Sequence, residues 1–189
     1  MVENRLLRIA IIGAGASGLM ALIKLIEAGY KDVRIFEKES DLGGTWRDNR
    51  YPGLTCDVPS MAYRYSFAPE ANWSQECARG DEIQAYLKKT AEKYEVDKYI
   101  HYNDEVTSAI YEDGKWQLNA KISGEQEFEI VITAVGVLHH PVAPEIKGAE
   151  RFSGQLFHSA RWPDDLDVTG KRVGIVGTGS TAVQLVSEL

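Results

Sequence analysis

Residues 8–37 read RIAIIGAGASGLMALIKLIEAGYKDVRIFE, and this stretch decides the fold. Arg8 to Ile12 is a β-rich apolar run, expected as a buried strand. A G-x-G-x-x-G turn follows at Gly13, Gly15 and Gly18. Leu19, Ala21, Leu22, Leu25 and Ile26 then recur at helical spacing up to Ala28, with Gly29 placed as a C-cap. Asp32 to Phe36 is a second short strand ending at Glu37. The unit is strand, glycine turn, helix, strand, the opening of a Rossmann-type α/β fold.

Each glycine has a physical task. Gly13 permits the tight turn out of the strand. Gly15 lacks a Cβ, so a pyrophosphate can approach the backbone. Gly18 lets the helix pack close to the strand, and the helix N-terminus offers N–H groups and a positive dipole end to phosphates. Glu37 lies 37 − 18 = 19 residues beyond Gly18, where a carboxylate accepts hydrogen bonds from ribose hydroxyls. Strand before, helix after and acid at this distance together indicate an adenine-dinucleotide site. The competing reading is a turn serving helix packing alone.

The pattern returns 177 − 13 = 164 residues later. Lys171 to Val176 reads as a strand. Gly177, Gly179, Ser180, Thr181 and Ala182 form the turn, Ala182 standing where the third glycine would be. Val183, Val186 and Leu189 begin a helix. The sequence stops seven residues after Ala182, short of the roughly 30 residues that a βαβ unit needs. A second nucleotide domain is therefore expected to be begun and unfinished here, the mark of a fragment.

Composition bounds the rest. The 189 residues carry 21 Lys+Arg and 28 Asp+Glu, a net charge of 21 − 28 = −7. That balance argues against nucleic-acid and anionic-membrane partners. Apolar residues at 44% and charged residues at 26% fit a globular chain with a real core. Cys56 and Cys77 make no disulfide framework and fit a reduced, cytoplasmic protein. No Cys or His spacing suits a metal, and His101, His139 and His140 read as surface or loop residues. Arg5 and Arg8 precede the apolar stretch Ile9–Ile23 in signal-peptide fashion, but the stretch ends in Lys24 without a small-residue cleavage site. At 15 residues it is also shorter than the roughly 20 that a spanning helix needs.

Between the two turns, 40–67 reads as a long loop, and such loops are usually functional. Asp81–Tyr94 reads as a helix with Ile83, Tyr86, Leu87, Ala91 and Tyr94 on one face. Val106–Tyr111 and Lys115–Ala120 alternate around Asp113-Gly114, a hairpin signal. Glu127–Val135 reads as a further strand, and the acidic run Glu125–Glu129 as a solvated face. The hairpin and its neighbour are expected to form a small antiparallel meander. Residues 139–168, with Pro141, Pro144, Gly148, Gly154 and Pro163, read as an interdomain connection. The expected domains are 1–138 for the first dinucleotide, 139–168 as linker, and 169–189 as the start of the second.

Two dinucleotide fingerprints in one chain point to hydride transfer from a nicotinamide to a flavin. A flavin disulfide reductase would need a cysteine pair soon after Gly43-Gly44. Trp46 stands there instead, and Cys56 has no near partner. A reduced flavin without a thiol relay reacts with oxygen.

Two further patterns are specific. Phe152, Gly154, His158, Trp162 and Pro163 fit F-x-G-x-x-x-H-x-x-x-W-P. Gly44, Trp46, Tyr51, Pro52, Gly53 and Asp57 fit G-x-W-x-x-x-x-Y-P-G-x-x-x-D. With the two glycine turns, the whole chain resembles the type I (class B) Baeyer–Villiger flavin monooxygenases. Relatives that oxidise N or S share the His but usually end the motif in another aromatic.

The resemblance implies FAD and NADPH as cofactors, and conversion of ketones to esters or lactones with molecular oxygen, through a flavin peroxide. It implies that Gly13, Gly15, Ser17, Gly18, Glu37 and Lys38 hold the FAD pyrophosphate and adenosine. Gly44, Thr45 and Trp46 would line the flavin half, Asp57 and Tyr63 would lie near the isoalloxazine, and backbone at Val106 would meet the adenine. Gly177, Gly179, Ser180 and Thr181 would take NADPH phosphates. Asp57 would position an arginine that stabilises the peroxide, an arginine expected in a missing C-terminal portion of the same protein. A chain limited to these residues is accordingly expected to be a poor catalyst. The residues also admit plainer readings: Asp57 as a turn or cap residue, Trp46 and Tyr51 as cofactor cover or core, Trp162 as core packing. His158 is expected to bond backbone and relay domain rotation rather than act as a base. The alternatives kept open are N- or S-oxygenation and a non-catalytic FAD-binding fragment.

Overall fold

Ile9–Ile12 forms β1 and Ala16–Glu27 forms α1 in a computed structural model that describes residues 6–189. Arg5, part of the signal-peptide reading, lies outside the described residues. The chain divides into two compact units, one within Met1–Thr45 and Ala85–Val137, the other Trp46–Gln84 with Leu138–Leu189.

The first unit is built on a parallel sheet of β1, β2 (Val33–Phe36), β3 (Ile100–His101) and β7 (Ile130–Thr133), in the order β3-β2-β1-β7. Ile9 pairs with Val33 on one side and Ile130 on the other. β1 is therefore central and buried, which is why it reads as an unbroken apolar run. α1 connects β1 to β2, as parallel strands require. It ends as expected from Gly29: at φ 91°, this residue lets its own N–H reach the Ile26 carbonyl at 2.9 Å and the Tyr30 N–H reach Leu25 at 3.1 Å. Those two bonds make a Schellman cap.

β4 (Val106–Glu112), β5 (Lys115–Ala120) and β6 (Gly124–Phe128) form the meander. Asp113 (φ 50°) and Gly114 (φ 82°) both take positive φ, the geometry of a primed hairpin turn. Phe128 enters the core edge-on to Phe36, centroids 5.8 Å apart. Ala10, Leu118 and Ala120 complete this cluster, and each fully buried phenyl contributes about 1.5–3 kcal/mol by burial. α3 (Gly80–Lys93) buries Ile83, Tyr86, Leu87, Thr90 and Ala91 along one stripe.

Three expectations need correction, and one further strand gave no sequence signal. Glu127–Val135 is two strands: β6 closes the meander at Phe128 and β7 begins the parallel sheet at Ile130. Glu129 is the crossover, held by reciprocal bonds in which the Arg8 N–H donates to Glu129 Oε2 at 2.7 Å and the Glu129 N–H to Arg8 O at 3.0 Å. β3 is two residues long, too short to leave a periodic signal. The 40–67 stretch contains a one-turn helix, α2 (Thr45–Asp48). Lys171–Val176 is not a strand, because no described strand lies beside it to form a ladder. The helix after it, α4, does form, over Ser180–Glu188. Among the described residues no helix is long and apolar enough to cross a membrane.

Candidate dinucleotide-binding sites

The glycine turn of the first unit has the shape its spacing demands. Gly13 sits at φ 102°, and a Cβ there would stand 2.7 Å from the Ala134 carbonyl oxygen. A Cβ on Gly18 would fall 1.9 Å from the Gly13 oxygen, so the first turn of α1 lies directly on the loop. Gly15 differs from both. It is the N-cap of α1 at φ −76°, ψ −173°, a conformation open to any residue, and a Cβ would find only Gly44 Cα, 3.8 Å away. What glycine preserves at position 15 is open surface.

Gly44 faces it from a second loop. At φ 54° its own Cβ would come within 3.2 Å of Gly15 Cα, and the Gly43 N–H donates to Ala14 O at 3.0 Å. Two glycine loops thus meet back to back beside the head of α1. That head carries no acidic residue in its first turn, and it presents the positive end of the helix dipole.

Glu37 is buried at 4% exposure. Its Oε2 accepts the Ala14 N–H at 2.8 Å and its Oε1 the Glu39 N–H at 3.0 Å. The carboxylate therefore first ties the end of β2 to the glycine loop. Ser17 is exposed, and half-buried Lys38 reaches Glu39 at 3.9 Å. Thr45 is exposed and Val106 half-buried. Sequence reading missed Asp104, 2% exposed. It accepts the Ile122 N–H at 2.7 Å and the Ser123 hydroxyl at 2.5 Å, fixing the segment between His101 and Val106. Burial works to raise its pKa, but the Ser123 hydroxyl and the Ile122 and Ser123 amides outweigh it and hold the carboxyl below its ordinary range. An acid between two turns gives no periodic signal, so nothing in the sequence marked it.

In the second unit, the Trp46 indole N–H donates to Tyr63 Oη at 3.0 Å, with the rings edge to face at 5.5 Å. Burial pushes the Tyr63 phenol above its ordinary pKa, and the Trp46 donation opposes this. Cys56 is buried, and burial raises its thiol pKa too. A protonated thiol is a poor nucleophile, which agrees with setting the disulfide-reductase reading aside.

α4 packs on the segment Tyr51–Asp57 through one polar face. Gly53, at φ 74°, leaves no space for a side chain: a Cβ would stand 2.7 Å from Gln184 O. The Tyr51 hydroxyl donates to Gln184 Oε1 at 2.9 Å and lies 3.3 Å from Thr181 Oγ1. Gln184 Nε2 donates to Thr55 O at 2.9 Å and Thr55 Oγ1 at 3.1 Å. The Ser180 hydroxyl donates to Asp57 Oδ2 at 3.0 Å. Ser180, Thr181 and Asp57, assigned separately by sequence, are thus brought together at the head of α4. Added Cβ atoms on Gly177 (φ 127°) and Gly179 would meet nothing within 4 Å. Gln184 was missed, although a Gln three residues after Thr181 in an otherwise apolar helix start was visible.

The long motif folds locally. His158 Nδ1 accepts the Ala160 N–H at 3.1 Å and so caps the 3₁₀ turn Ser159–Arg161. This is the backbone bond expected of it. Trp162 packs edge-on to Phe157 at 5.3 Å, followed by Pro163. Phe152 is exposed, and Gly154 lies against its ring. No described group of three or more His, Cys, Asp or Glu is placed to hold a metal ion.

Comparison with known proteins agrees with this architecture. The model of the flavin-binding monooxygenase-like family matches residues 6–189. An uncharacterized monooxygenase of Mycobacterium tuberculosis is 50% identical over 181 residues, covering 96% of this chain and 37% of that protein. A Baeyer-Villiger monooxygenase of Streptomyces coelicolor is 38% identical over 184 residues, covering 96% and 35%. Among solved structures, an oxidized steroid monooxygenase bound to NADP superposes with a TM-score of 0.85 at 40% identity, over 96% of this chain and 36% of that one. OTEMO in complex with FAD and NADP gives 0.87 at 37% identity, with 96% and 36% covered. The chain spans a little over a third of the length of these relatives. With the family's model matched from Leu6 to Leu189 and solved relatives superposing at TM-scores of 0.85 and 0.87, the chain belongs to the flavin-binding monooxygenase-like family.

Proposed function

We propose that the chain binds FAD at the Gly13–Gly18 turn and NADPH at the Gly177–Thr181 turn. It serves a protein that uses NADPH and molecular oxygen to convert small ketones into esters or lactones. The carrying observation is the open surface over Gly15, where a Cβ would meet only Gly44 Cα at 3.8 Å, beside a helix whose first turn holds no acidic residue. A diphosphate needs this combination: close backbone approach and a positive helix end. Gly13, Gly15, Ser17 and Gly18 hold the pyrophosphate, Glu37 and Lys38 the adenosine ribose, and backbone at Val106 the adenine. Gly44, Thr45 and Trp46 line the flavin half, with Tyr63 and Asp57 on its ring side. The bound flavin would supply electron transfer from the nicotinamide to oxygen. Tyr63, whose phenol burial pushes further above its ordinary pKa, presents a neutral wall. The half-buried ring pair of Trp46 and Tyr63, packed edge to face, gives that side an apolar surface. Gly177, Gly179, Ser180 and Thr181 take NADPH phosphates.

The domain reading stays as proposed: 1–138 for FAD, 139–168 as linker, 169–189 opening the NADPH domain, with His158 relaying rotation through its capped turn. A cytoplasmic setting is supported by two free cysteines, Cys56 and Cys77, and the net charge of −7 disfavours nucleic acid and anionic lipid. The Trp162-Pro163 ending of the motif favours ketones over N or S substrates. The test is to load the chain with FAD, remove air and add NADPH. Bleaching of the flavin band supports both nucleotide assignments. A flavin that binds and is not reduced withdraws the second assignment for this chain, and absence of flavin binding withdraws the first.

A further inference from the structure

Gln184 lies outside every glycine fingerprint, yet its carboxamide is the most connected polar group on α4. Its oxygen accepts the Tyr51 hydroxyl at 2.9 Å, and its nitrogen donates to both the carbonyl and the hydroxyl of Thr55 at 2.9 and 3.1 Å. Tyr51 is 7% exposed. The two loop residues bridged this way flank Gly53, where the backbone already touches α4. Two residues beyond Thr55 stands Asp57, whose carboxylate accepts the hydroxyl of Ser180 at 3.0 Å. Ser180 is the first residue of α4, next to the N-cap Gly179. One side chain in the second turn of the helix thus anchors the loop that puts a negative charge at the helix head.

We propose that Gln184 is a positioning residue: by clamping Tyr51 and Thr55 to α4, it holds Asp57 against Ser180 and so couples the place of the Asp57 carboxylate to occupancy of the second nucleotide turn. This rests on the reading that the Gly177–Thr181 turn binds NADPH. A dinucleotide phosphate arriving at Ser180 meets a hydroxyl already donated to Asp57, and a carboxylate of like charge beside it. Binding must move Asp57 or share Ser180 with it. The carboxamide is needed in this role because one end must accept and the other donate. Glu at 184 keeps the size and the acceptor for Tyr51 but places an oxygen against the Thr55 carbonyl. Phe at 51 removes one hydroxyl and keeps the ring.

The experiment titrates the 189-residue chain with NADPH in four forms: wild type, D57N, Q184E and the double variant, with Y51F and Y51F/D57N as a second cycle. Melting curves accompany each. In wild type, D57N removes a like charge close to the ligand's phosphates and tightens NADPH by about threefold or more, the scale of one unit-charge contact in a wet site. In the Q184E background the carboxylate is no longer held there, so D57N changes affinity by less than about 1.5-fold, and Y51F lessens the D57N effect in the same direction. A purely structural Gln184 would lower melting temperatures and leave the D57N effect equal in both backgrounds. That equality, at any size including none, overturns the proposal. Failure of wild type to bind NADPH strikes instead at the nucleotide assignment, and the two failures are read from different arms.

Discussion

Alanine at Gly15 and alanine at Gly18 are the same chemical change three residues apart, and the structure predicts opposite consequences. At Gly18 the new Cβ would lie 1.9 Å from the Gly13 oxygen, whereas real Cβ contacts essentially never fall below 3.0 Å. The shortfall is 3.0 − 1.9 = 1.1 Å, and the obstacle is backbone rather than the end of a flexible side chain. Helix propensity alone favours Ala over Gly by about 0.8–1 kcal/mol. Overpacking against a rigid neighbour costs about 1–3 kcal/mol, or more where the obstacle cannot yield, so sterics prevail. Taking the upper end of that cost because the obstacle is backbone, G18A should lose about 3 − 1 = 2 kcal/mol net and melt roughly 4–8 °C lower. At Gly15 the backbone is extended and the Cβ meets only Gly44 Cα at 3.8 Å. The fold should keep its stability or gain about 0.4–1 kcal/mol from a stiffer unfolded chain. The methyl instead stands where the pyrophosphate must approach, so G15A should weaken FAD binding by about ten- to hundredfold. Urea denaturation of the ligand-free chain and quenching of flavin fluorescence on titration measure the two effects. A G15A chain that binds FAD like wild type, or a G18A chain more stable than wild type, would refute the reasoning.

Other outcomes follow from named contacts. Asp104 has its pKa held low in the folded chain, so its stabilisation is present above the unfolded value near 4 and is lost as pH falls through the lower folded one. Acid titration of stability should show this loss in wild type and not in D104N, which is itself less stable at neutral pH by about 1–3 kcal/mol. G13A combines positive φ with a 2.7 Å approach to Ala134 O and should destabilise by more than about 1 kcal/mol, read by thermal melting. H158A removes the acceptor for the Ala160 N–H and should cost about 0.5–1 kcal/mol, with H158N retaining most of it, checked by urea titration. W46F removes the donor to Tyr63, and because that bond holds the phenol pKa down against burial, Tyr63 should ionise at still higher pH, followed by ultraviolet titration against a Y63F control.

How much of this was legible depended on range. β1, the glycine turn, α1 and β2 were read nearly residue by residue, because strand burial, helical spacing and glycine placement are local and agree with one another. The hairpin at Asp113-Gly114 was equally local. What escaped reading is set by distant partners. Lys171–Val176 has strand composition but, among the described residues, no strand to pair with. Glu129 looks like mid-strand until Arg8 shows it to be the crossing between two sheets. Ile100–His101 is a strand only because Phe36 lies beside it. In the site, glycines declared themselves through sterics. Glu37 was identified by spacing, though its bond to the Ala14 N–H was not foreseeable. Gln184 and Asp104 act through contacts 129 and 18 residues away, which no window of sequence contains.

The most direct measurement is calorimetric titration of the 189-residue chain with FAD, followed by its visible spectrum after gel filtration. The account predicts one FAD per chain, a protein fraction that stays yellow, and loss of both signals in G15A. A chain that releases no heat and elutes colourless would contradict it.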